Sequence, residues 1–291
     1  LRVDAVASLL RLDFCKEEGQ WLPNVYGGSE NLEAIEFLKH MNSVIAEREP
    51  GALMIAEDST AWPGVTKKVD EGGLGFSLKW NMGWMNDFLS YIKLDPIYRK
   101  YHQNKLTFGM AYHYAENFVL VLSHDEVVHT KSSMIGKMPG EDKFANLKVG
   151  YTFMMTHPGK KLLFMGGEFA QYSEWSEARS LDWHLLQYAD HQEMQAYVKE
   201  LNHLYTEEPA FWAEDFDPNG FQWIECDDAE SSIVSFVRRS KEKELVFLCN
   251  FTPVVHRGFS LGVPQEGVYH ERLNSDAARF GGSDVINAVP L

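Results

Sequence analysis

The sequence predicts an α/β protein with a parallel sheet, followed by a smaller all-β domain. Five short apolar runs punctuate residues 1–207, and stretches of helical length with apolar residues three and four apart lie between them. Near residue 208 the texture changes to short β-rich runs divided by turn residues.

Taken in order, the apolar runs are "LRVDAVA" (1–7), "ALMIA" (52–56), "LGFSLKW" (74–80), "NFVLVLS" (117–123) and "KLLFMG" (161–166). Several are almost continuously apolar, as strands buried on both faces should be. "NLEAIEFLKHMNSVIAE", "WMNDFLSYI" and "KFANLKVGYTFMM" have the period of helices that cover a sheet, and "EMQAYVKELNHLY" reads as a last helix before the change. "GFQWIECDD", "SSIVSFVRR" and "KELVFLCNFTP" then read as strands of an antiparallel domain over residues 208–291. Five βα units do not close an eight-stranded barrel, which typically takes about 250 residues. A first residue already inside a strand points to an open sheet or, better, to a fragment.

Composition narrows the function classes. The 291 residues are 45% hydrophobic and carry 42 acidic against 27 basic side chains, a net charge of -15. That excess of negative charge makes nucleic acid and anionic membranes poor partners. No stretch reaches the roughly 18 apolar residues of a membrane span. Cys15, Cys226 and Cys249 form no CxxC pair, so neither a disulfide framework nor a zinc knuckle is indicated, and a reduced, cytoplasmic setting is the expectation.

The chemistry-bearing residues sit where the apolar runs end. On an extended strand Arg2 and Asp4 share a face; a buried structural ion pair would also explain them. "MIAEDST" puts Glu57 directly after the second run, and "VLSHDEVVH" puts His124 and Asp125 directly after the fourth. In parallel α/β proteins ligands bind at the carboxyl ends of strands, where the βα loops converge. Singly, Glu57 could neighbour a helix cap and Asp125 could itself cap a helix.

Converging carboxylates with an arginine and a histidine suit glycosidic bond cleavage through an oxocarbenium-like transition state. An arginine beside a carboxylate keeps it ionised, which assigns Asp4 as nucleophile. Glu57, in the apolar context "LMIAE", suits the acid/base role, and Asp125 is left to bind sugar hydroxyls and stabilise positive charge. A catalytic metal is not expected, because the histidines of "HDEVVH" lack the spacing that puts both rings on one helical face.

Together "RVDAV", "AEDST" and "SHDEVVH" resemble the motifs of the alpha-amylase superfamily of (β/α)8 glycosidases and transglycosylases, and more narrowly those of its bacterial 1,4-alpha-glucan branching enzymes. The resemblance extends through "GGLGFSLKWNMGWMNDFLSYIKLDP", "YHQNKLTFGMAYHYAENFVLVLSHDEVVH", "GKKLLFMGGEFAQ" and "SLDWHLL". It implies Asp4 as nucleophile, Glu57 as acid/base and Asp125 as transition-state stabiliser, with Arg2 and His124 binding at the cleaved sugar. Glu126 after Asp125 is also like the bacterial branching enzymes. Trp80 and Trp84 could face glucan or fill the core.

By the same resemblance the five runs are strands four to eight of a TIM barrel, residues 1–207 its C-terminal part, and residues 208–291 most of a C-terminal β-sandwich. The family's first motif, an Asp and a His after the third barrel strand, has no counterpart here. The implied activity is retaining cleavage of an alpha-1,4 glucan and transfer of the chain to a 6-hydroxyl, as in glycogen biosynthesis, with no cofactor and a monomeric full-length form. The glucan partner would be amylose or glycogen, and this chain alone is expected to be poorly soluble or inactive. A hydrolase of the superfamily, debranching or trehalose-releasing, would use the same carboxylates. A non-catalytic glucan-binding protein would be expected to have lost one of them.

Overall fold

The computed structural model describes all 291 residues. Strands β1 (Arg2–Val3), β2 (Ile55–Ala56), β3 (Leu78–Trp80), β4 (Phe118–Leu122) and β5 (Lys160–Leu163) form one parallel sheet in chain order. Strands β6 (Phe221–Glu225), β7 (Ile233–Arg239) and β8 (Glu244–Asn250) form a second, antiparallel one. The helices are α1 (Val6–Leu10), α2 (Leu32–Arg48), α3 (Met82–Ile92), the single turns α4 (Pro96–Arg99) and α5 (Asn104–Thr107), then α6 (Lys143–Thr156) and α7 (Ala189–Glu207). None of them is long and apolar enough to cross a membrane. The chain divides into two compact units, residues 1–84 with 110–121, and residues 85–109 with 122–291.

In the first unit the apolar periodicity of α2 turns Ile35 and Leu38 into a core with Val6, Leu10, Met54, Ala56, Val65, Leu74 and Phe76. Asn31 caps the helix, accepting from the Ala34 N–H at 3.3 Å. Asn42 reaches from the buried face of α2 to donate to the Leu74 carbonyl at 2.8 Å. The sheet register pairs Val3 with Ala56 and Ala56 with Lys79. Asp4 and Glu57 therefore follow paired residues of neighbouring strands.

The second unit is built on aromatic contacts. Phe153 of α6 meets Phe251 at 5.8 Å and Phe236 of β7 at 6.2 Å between ring centroids, both edge-on. Arg238 of β7 is fully buried, yet its guanidinium donates to Asp215 at 2.7 Å and to the Thr156 and Gly220 carbonyls at 2.8 and 3.2 Å. Arg99 is likewise enclosed, donating to the carbonyls of Phe251, Ile92 and Leu94. Burial takes its pKa down to about 10, with Tyr91 and Asp95 opposing the shift.

The predicted strands exist but are shorter than their apolar runs, and the first departs most. Only Arg2 and Val3 are extended, whereas residues 4–7 were expected to continue the strand. Ala5 adopts the left-handed conformation (φ 50°, ψ 42°), and Val6 begins a helix whose buried side chains are Val6, Ala7 and Leu10. The Val6 N–H donates instead to the Glu57 carbonyl at 2.8 Å, which fixes the change of direction. Alternation along a strand thus does not reach Asp4.

Candidate active site

Within the first unit the residues at the ends of β1 and β2 are tied together. Asp4 lies in the turn after β1, its side chain 73% exposed and paired with the Arg2 guanidinium. Arg2 is held from below by a cation–π contact, its guanidinium carbon 4.4 Å from the centre of the Trp80 ring on β3. Glu57 is half-buried, and one of its carboxylate oxygens accepts the Ala5 N–H at 2.7 Å. Glu57 also donates its own N–H to the Val3 carbonyl at 2.9 Å.

The left-handed Ala5 is what aims this N–H. A non-glycine residue there costs on the order of 1 kcal/mol, and such strain persists where surrounding contacts over-determine it. Here the contacts are those to Glu57. The amide of the residue after Asp4 fixes the carboxylate of Glu57, so Arg2 at the start of β1, Asp4 just after it and Glu57 just after β2 are brought together.

Behind Glu57 a buried ion pair supports the same loop. Lys79 of β3 donates to Asp58 at 2.9 Å and to the Thr60 carbonyl at 2.8 Å. The other Asp58 oxygen accepts from the N–H and hydroxyl of Thr60 at 3.0 and 2.9 Å. The two charged side chains are 5% and 0% exposed. Consecutive residues of β3 point to opposite faces, so Trp80 supports Arg2 while Lys79 supports the residue after Glu57. Lys79→Met should leave a buried, unpaired carboxylate and cost about 3–5 kcal/mol. Urea denaturation measures this, and adding Asp58→Leu should recover most of the loss.

In the second unit, His124 and Asp125 follow β4. The His124 Nε2 lies 3.4 Å from an Asp125 carboxylate oxygen, and both side chains are partly exposed. Phe164 and Trp175 pack around the imidazole, with ring centroids 5.9 and 6.5 Å away. The cap of the short helix His124–Val127 is Ser123, whose hydroxyl accepts from the Asp125 N–H at 3.2 Å. Glu126 closes a capping box by accepting the Ser123 N–H and hydroxyl, each at 2.6 Å. The Asp125 carboxylate is thereby spared a capping role. Glu57 starts no helix of its own segment, but it does neighbour a helix cap, because its carboxylate and carbonyl accept the N–H groups of Ala5 and Val6 at the start of α1.

Trp80 and Trp84 do not present a face to solvent. They are 3% and 2% exposed, one under Arg2 and the other in the core. No group of three or more His, Cys, Asp or Glu is arranged to hold a metal ion. Sequence reasoning passed over Lys79, Asp58, Lys137 and Glu174. A lysine inside the apolar run "LGFSLKW", next in the sheet to "AEDST", was the signal for the first two. The Lys137 ammonium donates to the carbonyls of Glu126, Lys131 and Ser132, and the Glu174 carboxylate accepts the N–H groups of Thr130 and Ser132; such backbone partners leave no mark in side-chain pattern.

Residues 223–290 match the family model described as the alpha amylase C-terminal all-beta domain. The chain is 55% identical to the 1,4-alpha-glucan branching enzyme of Cellvibrio japonicus, over 100% of its own length and 40% of that protein's. It is 56% identical to the branching enzyme of Nitrosococcus oceani, covering 100% of the chain and 39% of the relative. The chain thus spans about two fifths of the length of the curated relatives it matches. Among solved structures, a debranching enzyme of Nostoc punctiforme superposes with a TM-score of 0.53 at 14% identity, over 74% of this chain and 45% of that one. A cyclomaltodextrinase gives 0.52 at 16% identity, over 74% of this chain and 34% of that one. At those identities the likeness concerns the fold.

Proposed function

We propose that the chain belongs to the alpha-amylase superfamily and carries the catalytic carboxylates of a 1,4-alpha-glucan branching enzyme, a reading supported by its similarity to those enzymes. Within that reading residues 1–207 are part of the catalytic (β/α)8 barrel and residues 208–291 a β-sandwich domain. The observation that carries the chemistry is the fixing of the Glu57 carboxylate by the amide next to Asp4. Neighbouring strands run about 4.8 Å apart, and retaining glycosidases hold their two carboxyl groups about 5 Å apart.

Asp4, paired with Arg2, attacks the anomeric carbon of an alpha-1,4 glucan and forms the glycosyl-enzyme. Glu57 gives its proton to the departing 4-oxygen. It then takes the proton of an incoming 6-hydroxyl, whose oxygen displaces Asp4 and closes the alpha-1,6 branch. Asp125 and His124 bind sugar hydroxyls and stabilise the positive charge of the oxocarbenium-like transition state. The protein acts in the cytoplasm as a monomer, on amylose or glycogen.

The test incubates amylose with the full-length enzyme containing this chain and follows iodine staining together with reducing ends. Transfer predicts loss of stain without new reducing ends. A proportional rise in reducing ends would sink branching in favour of hydrolysis, which the same carboxylates support when water enters.

A further inference from the structure

The segment that follows Asp125 is folded around a buried lysine. Lys137, at the end of the short helix Ile135–Lys137, is almost fully enclosed, and its ammonium donates to the carbonyls of Glu126, Lys131 and Ser132, the second at 2.8 Å. Three donors thus meet three acceptors, all of them backbone. On the outer side, the Glu174 carboxylate accepts the N–H groups of Thr130 and Ser132 at 3.0 and 2.6 Å. Lys131 turns back to donate to the Asp125 carbonyl at 2.8 Å.

Between these anchors the backbone is strained. His129, Thr130 and Ser132 all have positive φ, at 55°, 66° and 70°. Each such non-glycine residue costs on the order of 1 kcal/mol and persists only when its surroundings over-determine it. Val127 and Val128 are buried, but residues 129–131 are exposed and have no apolar packing to hold them. What over-determines the segment is charge: an ammonium gathering its carbonyls from inside and a carboxylate gathering its N–H groups from outside.

We infer that Lys137 is a positioning residue for Asp125, holding the segment 126–132 in the one strained conformation that keeps Asp125 and His124 in place. The inference rests on the reading of Asp125 as a site residue. Lys137 touches no substrate in this account and acts through the backbone alone.

The protonation of Lys137 supports this. Desolvation, followed by the nearby Lys93, lowers its pKa to about 8; Glu126 and Glu174 oppose the shift and Lys131 adds a little to it. A neutral amine keeps two N–H groups for three carbonyls, so one carbonyl is released as pH rises through about 8. Global stability moves the other way. Between about 8 and the ordinary 10.5 the unfolded chain binds a proton that the native state has lost, so this group's contribution to stability rises with pH. Local loosening without a lower Tm is the signature that separates positioning from general structural support.

The test measures backbone hydrogen exchange at pH 7 for the full-length enzyme containing this chain, as wild type, Lys137→Met and Lys137→Arg. Exchange in residues 126–132 should rise on the order of tenfold in K137M, with α6 and α7 unchanged, and K137R should recover at least half of that loss on a logarithmic scale. Unchanged exchange in K137M, an equal rise in every helix, or K137R no better than K137M overturns the proposal. A second arm measures the steady-state kinetics of the same variants, in which kcat should fall on the order of tenfold with KM for amylose retained. Exchange that loosens while kcat is unaffected also overturns it. If the wild-type enzyme does not branch amylose, the proposed function fails, while the exchange arm still decides whether Lys137 holds the segment.

Discussion

Asp4→Asn lowers chain transfer on the order of 10⁴-fold or more and leaves stability nearly untouched. The substitution keeps the shape of the side chain and removes the charge that attacks the anomeric carbon, so the covalent step loses its nucleophile. Asp4 is mostly exposed and its partner is the neighbouring Arg2. An exposed pair contributes little to folding, and the change in unfolding free energy should stay within about 0.5 kcal/mol. Steady-state transfer to amylose and a thermal melt of the same preparation measure the two effects. A loss of activity matched by a large fall in Tm would instead make Asp4 a structural residue of the β1 turn.

Glu57→Gln has a different signature, because its role depends on the leaving group. Removing a general acid and base costs about 10²–10⁴-fold when an alkoxide must depart, as it does from amylose. With an alpha-glucosyl fluoride donor the leaving fluoride needs no proton, so the first step should survive the substitution and fluoride should appear as a burst. The second step, which needs a base for the 6-hydroxyl, then becomes limiting. The Gln side chain retains an oxygen for the Ala5 N–H, the contact that Glu57 makes at 2.7 Å, so folding is preserved. An equal loss with fluoride and amylose donors would remove Glu57 from the acid/base role.

How far such a site could be read in advance differs residue by residue. The positions of Glu57 and Asp125 were legible because an acid at or one residue past the end of an apolar run marks the carboxyl end of a strand, and both runs do form parallel strands. Helix α2 was legible to within a residue, since Asn31 caps it and its apolar period is unbroken. The turn at Ala5 was not. An alanine in the left-handed region has no local signature, and it is set by the Val6 and Ala5 contacts to Glu57, some fifty residues away. Trp80 and Trp84 show a second limit, because an aromatic residue carries no mark of whether it faces ligand or core. Lys137 shows a third. Its partners are carbonyl groups that every residue possesses, so only the fold reveals the cage around it.

Asp4 as the covalent nucleophile is tested most directly by the mass of the peptide that contains it. Full-length enzyme carrying Glu57→Gln would be incubated with 5-fluoro-alpha-glucosyl fluoride, a donor that forms the glycosyl-enzyme readily and leaves it slow to break down, then digested and sequenced by mass spectrometry. The predicted result is a fluoroglucosyl adduct on Asp4, matched in amount by the fluoride burst. Fluoride release with the adduct on another residue, or with Asp4 unmodified, would contradict it.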